Sequence, residues 1–174
     1  MSPVGRVRHA FVDESFSGDY LVAAAIIPAG DVANARKVVS GLLDKRQRRI
    51  HFKDESPARK NRILDAFDGL DLEARVYLTS KSRTAREKCL GRLVPDLAAV
   101  GVSRLVLERA DTLVDLDRRI IYQLVRTGGL DLQYEHLRSH EDLLLCIADA
   151  VAWCAAKGGP WQNRIQAYTT TIRL

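Results

Sequence analysis

Three carboxylates stand where this chain otherwise builds a core. Asp13 closes the apolar run Ala10, Phe11, Val12, Glu108 ends the run "RLVLE", and Asp149 is the only charge in "LLLCIADAVAWCAA". An isolated buried carboxylate costs several kcal/mol, on the order of its effective desolvation penalty, unless something positive compensates it. A bland explanation exists for each. Asp13 could be a strand-end turn residue, Glu108 could pair with Arg104 or Arg109, and Asp149 could meet a buried Arg or a backbone amide. Taken together they suggest converging carboxylates, which repel, raise one another's pKa and persist around a divalent cation. All-oxygen ligands without His or Cys favour Mg²⁺ or Mn²⁺. Two such ions roughly 4 Å apart can activate a water and stabilise a leaving oxygen, so the chemistry implied is phosphodiester hydrolysis.

Further candidates follow from position. Asp111 lies just past Glu108 and could add a ligand. Glu14 adjoins Asp13 but points to the opposite face of a continuing strand. Glu141 and Asp142 open the last long helical pattern, where acids suit the helix dipole whatever the function. His51 and Lys53 could contact a phosphate, and Arg46, Arg48 and Arg49 are the strongest candidates for nucleic-acid contacts. No aromatics interleave with them, so they imply sequence-independent backbone binding.

The elements that must position these groups read as α/β. Apolar runs bounded by turn residues predict strands near 7–13, 20–27, 73–79, 103–108 and 132–137, with "IHF" at 50–52 as a short extra strand. Helical patterns fit 31–46, 57–67 with a Ser-Pro start, 84–99, 114–126 and 142–157. The 174 residues, 47% hydrophobic, suit one domain.

Charge is uneven along the chain. The net is +5, yet ten Lys or Arg fall between Asn34 and Arg62 against Asp44, Asp54 and Glu55. Between Arg104 and Asp149 nine acids outnumber six Arg. A basic arm beside an acidic half suits a protein that handles a polyanion through bound cations, although a solvated helix face gives the same composition. Cys89, Cys146 and Cys154 show no CxxC spacing and read as reduced core thiols. No glycine-rich phosphate loop, GxSxG elbow or HExxH pair is present. The apolar run Tyr20–Pro28 is too short to span a bilayer, and Met1–Arg8 lacks the apolar stretch of a secretory signal, so a cytoplasmic protein is expected.

The stretches "FVDES", "IHFKDE", "LVLERAD" and "LLLCIADAVAWC", covering about 9–157, resemble the domain-of-unknown-function 3800 family, whose fold is ribonuclease H-like. The resemblance implies a five-stranded mixed sheet in the order 3-2-1-4-5 flanked by helices, with a helical insertion at about 28–72 between the second and third strands and a tail at 158–174. It places Asp13 and Glu14 on the family's DES acids, Glu108 near the acid ending its fourth strand, and Asp149 on the aspartate of its QxAD helix. It departs in having Phe16 after "DES" where Gly is usual, Cys146 for the Gln, and Glu108 where Asp is commoner. The function implied is a Mg²⁺- or Mn²⁺-dependent nuclease acting on DNA or RNA through two metal ions. Two competing readings are a non-catalytic nucleic-acid-binding or protein-interaction module, with homodimerisation through "WCAAKGGPW", and a hydrolase of small phosphate esters.

Overall fold

The structure is a computed structural model and describes residues 5–174. The expectation of no leader at Met1–Arg8 therefore falls partly outside the described residues. The strands are β1 (Arg8–Ser15), β2 (Tyr20–Pro28), β3 (Glu73–Thr79), β4 (Val102–Glu108), β5 (Gln133–Leu137) and β6 (Thr169–Arg173). The main helices are α1 (Val32–Leu42), α2 (Pro57–Asp68), α3 (Ala85–Ala99), α4 (Val114–Gly128), α5 (Leu145–Lys157) and α6 (Gly159–Ile165). They form one mixed sheet in the order β5-β4-β1-β2-β3-β6.

The centre of the sheet follows from β2, whose nine residues YLVAAAIIP are all buried. A strand apolar on both faces needs layers on both sides. Its odd-numbered residues join Phe11 and Val106 in a core closed by α1, α2 and α5. Its even-numbered residues join Val12 and Leu107 in a second core closed by α3 and α4. β1 and β2 form an antiparallel hairpin whose turn passes through Gly18 at φ 85°, a left-handed conformation that favours glycine. On its other side β1 runs parallel to β4, and β4 parallel to β5.

Local chemistry sets the helix ends. The Ser56 side chain accepts from the Arg59 N–H at 3.2 Å and Pro57 occupies the first turn, so α2 begins where the Ser-Pro signal predicts. The chain turns extended at Leu43, which ends α1 at Leu42, four residues short of the predicted 46. Asp142 lies before α5 instead of opening it: it is buried, accepts the Leu144 N–H at 3.1 Å and pairs with Arg36 at 2.7 Å. That ties the entrance of α5 to α1.

Two expectations need correction. The sheet has six strands, because the tail folds as α6 and β6, and β6 adds parallel to β3. The order 3-2-1-4-5 is retained inside it. The "IHF" segment is no strand: Phe52–Asp54 is a 3₁₀ turn with Ile50 and Phe52 buried against α5's side of the sheet. A single turn sinks both side chains into that core without a strand partner. In "WCAAKGGPW" the two tryptophans are half-buried, while Lys157, Gly159 and Pro160 between them are exposed. Trp153 and Trp161 meet edge-on at 5.3 Å between centroids, and Phe52 meets Trp153 at 5.4 Å.

Candidate functional site

Strand register creates the central feature. Val12 pairs with Leu107, and one residue beyond, at the C-terminal ends of these neighbouring parallel strands, come Asp13 and Glu108. Both follow the parity of Phe11 and Val106 and so face α5. Asp13 and Glu108 stand within hydrogen-bonding reach of each other. Burial, then the hydrogen bond and charge of Glu108, then the charge of Asp149, push the Asp13 carboxyl well above its ordinary range. The residue itself is half-buried, although its carboxyl is enclosed by protein. Its Oδ1 accepts the Glu14 N–H at 2.7 Å.

Asp149 comes from α5, which lies across β1 and β2. Its Oδ2 accepts the Phe52 N–H at 2.8 Å. Burial pushes its carboxyl up, and the charge of Glu108 adds to this, while the Phe52 amide, His51 and Arg49 oppose it. The backbone-amide expectation for Asp149 is thus met. For Glu108 the expected pairing is not: Arg104 binds Glu135, and Arg109 donates to Asp111 at 2.7 Å. Among the described residues no Arg, Lys or His forms an ion pair with Asp13, Glu108 or Asp149, whereas the buried Asp117 and Asp142 each have an Arg.

The donor set fits a hard cation in its chemistry: three neighbouring carboxylates with no ion-pair partner among the described residues. It is not a finished cage. Among the described residues no group of three His, Cys, Asp or Glu side chains is arranged to hold a metal ion. Asp13 and Glu108 converge, and Asp149 stands near enough for its charge to act on Asp13.

The other candidates separate by face. Glu14 points away from Asp13, as strand parity requires, into a network with Arg86 and the Tyr20 hydroxyl. Arg86 also donates to Asp117 at 2.5 and 2.7 Å, and Asp117 meets His136 Nε2 at 3.0 Å. Burial would raise the Asp117 carboxyl, yet the hydrogen bonds and charges of Arg86 and His136 hold it below its ordinary value. Sequence reasoning missed this network. Its signal was an acid on the apolar stripe of α4, Asp117 between Val114 and Ile120.

Asp111 is exposed and held by Arg109 and by Arg138 at 3.2 Å. Glu141 is exposed and accepts the Arg138 N–H at 2.6 Å. His51 pairs with Asp54 at 2.7 Å. Arg46 and Lys53 are exposed. Arg48 and Arg49 line an open groove of about 390 Å³ together with Glu108, Arg109, Arg138, Ser139 and His140. A second cavity, about 260 Å³, lies on the other side of the acid pair and is lined by Asp13, Glu14, Arg86, Glu108 and Arg109 among others.

Lys60 also escaped the sequence reading. It is buried, with its ammonium 4.7 Å from the Trp153 ring centroid and 5.7 Å from that of Phe52. It donates to the carbonyls of Lys53 at 3.1 Å and Glu55 at 2.5 Å. The lysine thereby clamps the turn whose Phe52 amide holds Asp149.

No family profile and no curated protein matches this chain. Solved structures do. A chain of the PCNA:RNase HII complex from Archaeoglobus fulgidus is 16% identical with a TM-score of 0.54, over 92% of this chain and 76% of that one. Ribonuclease H2 from Pyrococcus horikoshii OT3 is 14% identical with a TM-score of 0.54, over 92% and 75%. At such identity the likeness concerns the fold alone: a mixed α/β sheet flanked by helices. No helix among the described residues is long and apolar enough to cross a membrane.

Proposed function

We propose that this chain is a divalent-metal-dependent nuclease of ribonuclease H-like fold, related to the domain-of-unknown-function 3800 family. One observation carries the reading: Asp13 and Glu108 converge at the ends of adjacent parallel strands with no cationic partner among the described residues. The carboxyl ends of strands in an open α/β sheet are where ligands are received. The likeness to ribonucleases HII and H2 supports the same direction.

Asp13, Glu108 and Asp149 would hold Mg²⁺ or Mn²⁺. The bound ions supply an activated water and charge stabilisation at the leaving oxygen. The chain's own residues do the rest. The Glu14 amide orients Asp13, and the Phe52 amide fixes one oxygen of Asp149, leaving its other oxygen for a ligand. Lys60 and the Phe52–Trp153–Trp161 cluster hold that amide in place. On the far face, where strand parity puts it, Glu14 is paired with Arg86. The basic groove beside Glu108 would receive phosphates.

A non-catalytic binding module is the second reading, favoured by the lack of a finished three-acid cage among the described residues. Calorimetry with Mn²⁺ and Mg²⁺, followed by cleavage of labelled single- and double-stranded DNA, RNA and hybrid, separates the two. Metal binding and metal-dependent cleavage that both vanish in Asp149→Asn support the nuclease. Absence of metal binding at millimolar concentration by a folded wild type refutes it.

A further inference from the structure

The groove beside the acids is assembled from three separate stretches of chain. Arg48 and Arg49 come from the connection between α1 and α2, Arg109 from the end of β4, and Arg138, Ser139 and His140 from the connection between β5 and α5. Glu108 is common to this groove and to the cavity that contains Asp13. Anything anionic seated on the arginines therefore lies directly beside the acid pair.

The arginines are positioned in advance and keep donors free. Asp111 brackets two of them, accepting from Arg109 Nε at 2.7 Å and Arg138 Nη2 at 3.2 Å. Arg49 donates through one Nη1 to the Ser139 hydroxyl. Arg48 is exposed and has no ion-pair partner among the described residues. A guanidinium offers five N–H donors in a planar fork that matches phosphate oxygens. Four such groups against Glu108 and Asp111 leave the groove cationic. An acid so bracketed serves the arginines more directly than it would serve a metal.

We infer that the groove is a phosphate subsite for a nucleic-acid strand, seating a backbone phosphate next to the one held over Asp13 and Glu108. Two features select a polymer over a small phosphate ester. The groove is an open trough of about 390 Å³ and not a closed pocket. It shares only Glu108 and Arg109 with the cavity that holds Asp13, so a strand can occupy both places where a single phosphate occupies one. Among the described residues that line it there is no Phe, Tyr or Trp, and His140 is its one ring, so its grip is chiefly on backbone. The assignment of the neighbouring phosphate to cleavage rests on the nuclease reading; binding in the groove does not.

The test is fluorescence anisotropy of labelled 20-nucleotide DNA and RNA strands with the full chain in EDTA, across 50 to 200 mM KCl. The variants are Arg48→Glu and Arg138→Glu. Arg119→Glu, exposed on α4 across the sheet, is the control, and circular dichroism verifies folding. Each groove variant should weaken binding about tenfold and lower the salt slope by about one, while the control changes neither. Mononucleotide at millimolar concentration should compete poorly. Unchanged affinity and salt slope in both groove variants overturn the proposal, as does a mononucleotide that displaces the strand at its own low-micromolar concentration. The two readings can fail separately. Arginine-dependent binding without cleavage in Mg²⁺ or Mn²⁺ leaves the groove standing and removes the nuclease; cleavage with unchanged KM in both arginine variants does the reverse.

Discussion

Replacing Asp13 by Asn should stabilise the fold while destroying the proposed activity. In the wild type, burial and the neighbouring Glu108 and Asp149 raise the Asp13 carboxyl well above its ordinary 3.8. Two unit charges about 4 Å apart repel by about 4 kcal/mol at an effective dielectric constant of about 20. Protonation relieves that repulsion, which is why the Asp13 carboxyl titrates above its ordinary value. A carboxyl raised in the folded state weighs against folding at neutral pH, by about 1.36 kcal/mol for each unit of the rise. Asparagine avoids this, since its Oδ1 can still accept the Glu14 N–H and its amide can donate to Glu108. The expected gain at pH 7 is about 2 kcal/mol, or roughly 4 to 8 °C in midpoint for a domain of this size. The sign follows from linkage. A carboxyl raised in the folded state favours folding fully below its ordinary value and loses that contribution as pH rises through the folded value. The advantage of Asp13→Asn should therefore vanish near pH 4 and grow toward neutrality. Urea unfolding in EDTA, followed by tryptophan fluorescence at pH 4, 5.5 and 7, measures it. A variant that is less stable than wild type at pH 7, or whose advantage does not change with pH, would refute the repelling-acid account of the site.

Four further outcomes are expected. Arg86→Met leaves Glu14 and Asp117 without their shared cation and should cost about 3 to 5 kcal/mol by urea unfolding, with Asp117→Asn in the same chain recovering part of it. Asp117 titrates below its ordinary 3.8, so its contribution is present above that value and lost as pH falls below it; Asp117→Asn should flatten the acid limb of a stability–pH curve below about pH 4. Lys60→Met uncovers the carbonyls of Lys53 and Glu55, which should cost about 1 to 3 kcal/mol and speed hydrogen exchange at the Phe52 amide severalfold. Ending the chain at Lys157 removes β6 and bares the edge of β3, so the shortened protein should elute as aggregates in size-exclusion chromatography.

Much of the scaffold was legible because its elements carry local signals. β2 is apolar throughout, Ser56-Pro57 announces α2, and the period of α4 is plain. β6 was missed since its Thr-rich five residues show no apolar alternation and become a strand only by pairing with the edge of β3. The "IHF" segment misled for the converse reason: β-prone residues sank into the core through a turn.

The sequence by itself determined that Asp13, Glu108 and Asp149 sit in apolar surroundings, and strand parity alone sent Glu14 to the other face. Those are properties of composition and period, which a linear chain displays. Partners were decided only by the tertiary structure. Arg104 turned to Glu135, Arg109 to Asp111 and Arg86 to both Glu14 and Asp117, so Glu108 was left beside Asp13 with no cation paired to it among the described residues. Side chains with long, rotatable stems choose among several nearby charges, and which charges are nearby depends on strand order and register. The groove at Arg48, Arg109 and Arg138 has the same origin, because its three stretches of chain meet only where the sheet and its connections bring them together.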